Sequence, residues 1–259
     1  MATWNILTLN GTGYQVALVR ELKRYKIAIA GLTEARLSGS GEHDVEDGHL
    51  LYSGGTEKRN GVAFELRPPF SKALTMWHPL SDRLLYARLA YKHGPISIIV
   101  AYALTNEATD SDKDRFYDEL SATTQTVPPH DELLVIGDLN AVSGEARIGF
   151  ETAVGPYGSG SMNDNSERLL SFCASFGLAI TGSWFKRLDI HRDTWISNDG
   201  RTRKELDHIL VRNRSLVKSY RVYRGAEAPA NTDHRLLVAS VAVSPRFAHR
   251  AAREQKYDV

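Results

Sequence analysis

The stretch Leu133-Leu134-Val135-Ile136-Gly137-Asp138-Leu139-Asn140 decides how this chain reads. Four apolar residues in a row suit a short strand covered on both faces. The glycine and the Asp-x-Asn that follow are turn residues. They are also oxygen and amide groups suited to metal and phosphate chemistry. Alone, Asp138-Leu139-Asn140 is more often structural. The same pattern recurs elsewhere, however. Ile27-Ala28-Ile29-Ala30-Gly31-Leu32 runs into Thr33-Glu34, and Ile96-Ser97-Ile98-Ile99-Val100-Ala101 runs into Tyr102. Trp4-Asn5, Glu205-Leu206-Asp207 and Thr232-Asp233-His234 complete a series of polar groups at strand ends. Such a series carries ligands and phosphate donors to one rim of a sheet core.

Around these stretches the chain is ordinary globular material, 259 residues long, 42% hydrophobic and 24% charged. That length can bury a sizeable core without disulfides. The lone cysteine, Cys173, lies in a helical run and reads as a buried apolar residue. Its solitude suits a reducing, intracellular compartment, nuclear or cytoplasmic. No apolar run approaches the ~20 residues of a membrane span, and no signal peptide is evident. A net charge of +1 gives no strongly basic footprint overall, though local patches matter more for nucleic acid.

Strands are expected at 3–10, 27–32, 49–53, 61–66, 84–89, 96–102 and 133–136, and again at 178–182, 193–197, 205–212, 217–224 and 235–242. Helices are expected at 14–26, 110–125 and 166–177, the last closed by Gly177. Residues 143–165 read as a long surface loop, and such loops are more often functional than filler. Strands outnumber helices, and helices fall between strands in each half. The class is therefore α+β, with a two-sheet core and helices outside it. One domain spans 1–244, followed by a basic tail or linker at 245–259.

Phosphodiester hydrolysis needs a divalent cation, an oriented water and donors to the developing oxyanions. Glu34, Asp138, Asp207 and Asp233 are candidate carboxylates. Asn5 and Asn140 are amides, Tyr102 is a hydroxyl and His234 an imidazole. There is no Cys/His cluster at zinc spacing and no Gly-x-x-x-x-Gly-Lys phosphate loop. Each residue alone has a quieter reading as a turn, a solvated acid or a satisfied core group. Their joint occurrence in order favours a metal-dependent phosphodiesterase.

The set Trp4-Asn5, Glu34, Tyr102, Gly137-Asp138-Leu139-Asn140, Asp207 and Thr232-Asp233-His234 resembles the endonuclease/exonuclease/phosphatase superfamily. Residues 165–173 and 193–211 are closer still to the endonuclease domains of RTE/BovB-type non-LTR retrotransposons and a domesticated ruminant relative. The resemblance implies a deoxyribonuclease-I-like four-layer α/β-sandwich: two packed mixed β-sheets flanked by helices. It implies Glu34 as principal metal ligand with Asn5 in support, and Asp233 at a second metal position. Asp138 would orient or deprotonate the water, with Asn140 beside it. Asp207 would pair with His234, and Tyr102 would donate to a phosphate oxygen. Mg²⁺ is the implied cofactor, with Mn²⁺ as a substitute. Double-stranded DNA is the implied substrate, nicked on one strand to leave a 3′-hydroxyl by a monomeric enzyme. In that group a reverse transcriptase follows the domain.

Asn106, Arg201, Arg203 and Lys204 are candidate phosphate or DNA contacts. Lys186, Arg187, His191 and Arg192 would extend that track or form a solvated face. Trp195 reads as core. Related sequences usually carry Tyr where this chain has His208, and many carry Pro at Leu104 and Asn198. An apurinic-site repair endonuclease is the rival enzyme reading, but Lys204-Glu205-Leu206 lacks the aromatic expected for an abasic pocket. A domesticated, non-catalytic nucleic-acid-binding module is the rival of another class. Retention of every ligand and of His234 weighs against it.

Overall fold

The buried runs become central strands of two sheets, because each offers apolar side chains to both faces. The computed structural model describes residues 1–145 and 147–245. The first half contains β1 (Ala2–Asn5), α1 (Tyr14–Arg24), β2 (Ile29–Thr33), β3 (Ser40–Val45), β4 (Gly48–Ser53) and β5 (Val62–Leu66). It continues with β6 (Leu74–Pro79), β7 (Leu84–Tyr91), β8 (Gly94–Tyr102), α2 (Asp110–Gln125) and β9 (Glu132–Asp138). The second half holds α3 (Asp164–Phe176), β10 (Ala179–Ile180), β11 (Trp195–Ile196), β12 (Arg203–Lys204), β13 (Asp207–Val211), β14 (Val217–Tyr223) and β15 (Leu236–Val241). A seven-stranded sheet has the order β14-β15-β1-β2-β5-β4-β3, and a six-stranded sheet the order β10-β13-β9-β8-β7-β6. β11 and β12 form a separate ribbon.

Both sheets are mixed: β1 pairs with β2 in parallel and with β15 antiparallel, while β9 pairs with β8 in parallel and with β13 antiparallel. Alternation along each strand then sorts the core into layers. Ile98, Val100, Leu134, Ile136, Ile209 and Val211 face Leu51, Val62, Phe64 and Leu66 between the sheets. Their neighbours Ile99, Leu133, Val135 and Leu210 turn outward onto Phe116, Leu120, Leu169, Phe172 and the fully buried Cys173. On the opposite side Trp4, Ala30, Leu32 and Ala63 meet Leu18, Val19 and Leu22 of α1. The result is a four-layer sandwich, as expected, and it explains why these strands carry unbroken apolar runs. The sheets approach closely at Gly31: a Cβ there would meet Ile136 Cδ1 at 2.6 Å.

The expected helices are present, α2 with the expected bounds and α1 and α3 with shifted ends; α3 stops at Gly177, whose φ of 62° is the left-handed cap. Three strands were not expected: β3, β6 and β12. β3 and β6 are edge strands and β12 is half of a two-stranded ribbon; their side chains are mostly solvated, so no buried apolar run announces them. Between β9 and α3 the long loop is present, but it is not wholly at the surface: Ser143, Ala153 and Val154 are buried. The expected tail from 246 onward lies outside the described residues.

Strand register gathers the polar strand ends. Asp138 pairs with Tyr102 on one side and with Asp207 on the other. In the other sheet Asn5 pairs with Thr33, just before Glu34, while His234 precedes β15. Both sets lie at the same end of the sandwich.

Candidate active site

Asn5 joins the two sheets at this rim. Its side-chain NH₂ donates to Glu34 Oε1 at 2.9 Å and to Asp138 Oδ2 at 3.1 Å. Its Oδ1 accepts from the Leu7 amide at 3.2 Å. Tyr102 donates its hydroxyl to Glu34 Oε1 at 3.0 Å, and Arg36 donates to Glu34 Oε2 at 2.6 Å. Glu34 is therefore held at both oxygens.

Asp138 lies in the wall between the sheets. Gly137 before it has φ 150°, and a Cβ there would overlap the Ala101 carbonyl, so only glycine lets β9 run this close to β8. The Asn140 amide donates back to Asp138 Oδ1 at 3.1 Å, and its side chain donates to the Ala103 carbonyl at 3.0 Å. Asn163 and Asn165 of the α3 entry both donate to the Asn140 carbonyl, at 2.7 and 3.2 Å. Glu34 and Asn140 have φ of 53° and 47°. Backbone held in this region by two site candidates is strain kept where the surroundings enforce it.

His234 completes the rim. Its Nδ1 is 2.8 Å from Asp207 Oδ2, and its Nε2 is 3.6 Å from Asp138 Oδ2 and 4.0 Å from Asp233 Oδ1. Burial disfavours the imidazolium, but the charges of Asp207 and Asp138 outweigh it and hold His234 well above its ordinary pKa. The ring is thus a cation in the metal-free protein. Burial lifts Asp138 above the usual carboxylate range, against the pull of His234. Burial, then the fields of Glu34 and Asp138, push the Tyr102 phenol upward, so it stays a neutral donor.

A short segment staples the histidine to its aspartate. The Thr194 hydroxyl accepts from the amides of Leu206 and Asp207 at 2.9 and 3.0 Å. The Thr194 carbonyl accepts from the Arg235 amide at 2.7 Å. Trp195 Nε1 donates to Asp233 Oδ2 at 2.7 Å, and Trp4 Nε1 to the His234 carbonyl at 3.2 Å. Sequence reasoning assigned Trp195 to the core and passed over Thr194 and Arg36. Trp195 is instead half-buried, with its polar edge on a site carboxylate. The Arg36 signal was its position two residues after Glu34; nothing in composition marks Thr194.

The basic candidates divide. Arg201, Arg203 and Lys204 are exposed on the β11–β12 ribbon beside Asp233. Arg187 is no part of a phosphate track. It is 4% exposed and makes a bidentate pair with Glu205, 5% exposed, through two 2.9 Å contacts. Asn106 is exposed, and its carbonyl accepts from Lys113 at 3.1 Å. No hydrogen bond among the described residues ties its side chain to the rim. His208 is buried and bonds the Ala141 carbonyl through Nε2 at 2.7 Å, holding the loop after Asp138.

The donor set fits a divalent cation. Four carboxylates, Glu34, Asp138, Asp207 and Asp233, share the rim with the two cations Arg36 and His234, and Asp207 Oδ1 is buried without a partner. Asp138, Asp207 and His234 offer ligand atoms within 4.8 Å of one another. His234 is committed to Asp207 and charged, however, so oxygens rather than the ring suit a hard cation.

The sequence profile of the endonuclease/exonuclease/phosphatase family matches residues 2–240. The chain belongs to this family. Among curated relatives, craniofacial development protein 2 of Bos taurus is 32% identical over 256 residues, covering 98% of this chain and 42% of that protein. The Tragulus javanicus protein is 31% identical, covering 98% and 44%. The chain thus spans less than half the length of these relatives. Among solved structures that share the fold of this family member, the endonuclease domain of TRAS1, a telomere-specific non-LTR retrotransposon, has a TM-score of 0.65 at 15% identity, covering 93% of this chain and 96% of that one. The Xenopus laevis APE2 catalytic domain has a TM-score of 0.68 at 14% identity, covering 96% and 93%. At such identities the likeness is one of fold. Enzymes of this family usually use divalent metals, which agrees with the oxygen-rich rim.

Proposed function

We propose that this family member is a divalent-metal-dependent DNA endonuclease that nicks one strand and leaves a 3′-hydroxyl. The observation that carries the reading is the charged His234 between Asp207 and Asp138, set beside a Glu34 held by Asn5 and Tyr102. Glu34 and Asp233 would hold the cation, Mg²⁺ or Mn²⁺, with Asn5 keeping Glu34 and Asp138 in place. When bound, the cation supplies charge neutralisation at the phosphate.

This chain's own groups do the rest. Asp138, lifted above the usual carboxylate range, orients the attacking water and takes its proton, and Asn140 fixes the carboxylate through its amide. His234 presents Nε2–H⁺ to the scissile phosphate, with its ring orientation set by Asp207. The neutral Tyr102 phenol donates to a phosphate oxygen. The 3′-hydroxyl is the end that a following reverse transcriptase would extend. The long Lys and Arg side chains of the ribbon follow the backbone, where most contacts of such proteins fall.

Supercoiled plasmid with Mg²⁺, the same with EDTA, and an abasic oligonucleotide test the proposal together. Nicking of intact plasmid that stops with EDTA is the expected result. Cutting confined to the abasic site would support apurinic-site repair instead. No cleavage of either substrate, with wild type matching His234→Ala, would leave the non-catalytic module.

A further inference from the structure

A second charged feature lies one residue beyond His234. β14 and β15 are antiparallel, with Tyr223 opposite Leu236. Arg224, in the turn after β14, and Arg235, just before β15, are the residues next beyond that pair. Like charges brought this close repel one another. A third arginine joins them from the ribbon. Arg203 pairs with Ile196, whose amide donates to the Asp233 carbonyl at 3.1 Å, two residues before Arg235. The Arg235 amide is itself tied to the Thr194 carbonyl at 2.7 Å, so the backbone beneath the cluster is fixed.

The cluster is under-compensated. Arg224 and Arg203 lie close enough to act on Arg235 through their charges, with Asp193 opposing them. None of the three arginines forms an ion pair among the described residues. Arg235 Nη1 is buried with no hydrogen-bond partner. Arg203 and Arg235 feel the carboxylate of Asp193 without forming an ion pair to it, and Arg235 keeps a buried, unpaired N–H. The planar fork of arginine matches phosphate oxygens in pairs.

We infer that Arg203, Arg224 and Arg235 form a phosphate-binding site that grips the nucleic-acid backbone beside the bond facing His234. The inference rests on the nuclease reading above and adds a site on the β14–β15 end of the rim. Bound phosphate relieves the repulsion between the neighbouring arginines, so the site is preformed at a cost in stability to the free protein.

Binding of a fluorescein-labelled duplex, in EDTA across a salt series, tests it by anisotropy. Each phosphate contact adds about 0.9 to the slope of log affinity against log salt. Arg224→Gln is exposed and should fold. It should lower that slope by about 1, equally for two unrelated sequences. Its melting temperature should equal or exceed that of the wild type, because repulsion is removed. Arg235→Lys keeps the charge but loses the fork, so it should weaken binding with little change in slope. Arg20→Gln, on α1 and already paired with Glu46, is the control and should leave the slope unchanged. Wild-type binding with an unchanged slope in Arg224→Gln would overturn this inference and leave the nuclease reading intact. Failure of the wild type to bind any duplex would overturn both.

Discussion

Asp207→Asn keeps an acceptor for His234 Nδ1 and removes one charge. In the wild type that carboxylate oxygen lies 2.8 Å from the ring nitrogen. Unit charges at that distance attract by about 6 kcal/mol at an effective dielectric of ~20. At ~1.36 kcal/mol for each tenfold step, the loss is worth roughly four such steps. Burial works against the imidazolium, and the carboxylates left to support it are Asp138 at 3.6 Å and Asp233 at 4.0 Å. The His234 pKa should therefore fall from about 10 toward ~6 or a little above. The assay is an NMR titration of the His234 ring in metal-free protein between pH ~5 and ~10, paired with cleavage rates. Wild-type His234 should stay charged over most of that range, whereas in Asp207→Asn it should titrate inside it. Cleavage at neutral pH should drop by roughly 10²–10⁴, the usual worth of a positioned acid or base. An Asp207→Asn protein whose His234 titrates as in the wild type would refute the electrostatic account of the pair.

Glu65 is buried in β5 with neither oxygen hydrogen-bonded, and burial pushes its pKa from 4.5 up to about 8, opposed by Arg67. The folded state then holds a proton that the unfolded chain releases, so stability falls as pH rises from ~4.5 to ~8 and levels off above. The loss is at most about 5 kcal/mol; Glu65→Gln should flatten it in urea titrations at several pH values, and parallel curves for the two proteins would contradict this. Arg187→Met strands Glu205 in the interior and should cost about 3–5 kcal/mol, while Arg187→Met with Glu205→Leu should recover most of it. Urea midpoints check both, and a single variant as stable as the wild type would be wrong for this geometry. Trp195→Phe keeps the ring but loses the donor to Asp233. It should lower kcat about tenfold with KM for DNA unchanged, from ~1.5 kcal/mol for a hydrogen bond to a charged group. A change confined to KM would make Trp195 a DNA contact instead.

The central strands and most of the rim were legible because their signals are local. Leu133 to Ile136 had to be covered on both faces, and Asp138, Tyr102 and Glu34 follow their strands within a residue or two. α2 was legible to its ends, where Thr109 caps and Pro128 follows. β3 and β6 escaped because an edge strand is held by backbone pairing and leaves its side chains in water. Arg187 and Trp195 were misjudged for a different reason. Arg187 and its partner Glu205 are 18 residues apart, and Trp195 is 38 residues from Asp233. Neither partnership is written in the neighbouring residues. The closeness of Arg224 and Arg235 depends on the β14–β15 pairing, which both strands must form before it exists.

The central claim is that Asp138 and Glu34 serve the chemical step and not the grip on DNA. Single-turnover cleavage of a duplex by Asp138→Asn and Glu34→Ala, measured beside duplex affinity, tests it most directly. The account predicts cleavage lower by two or more factors of ten, roughly what removal of a positioned base costs, with affinity changed only a few-fold. Unchanged cleavage, or a loss matched by an equal loss of affinity, would contradict it.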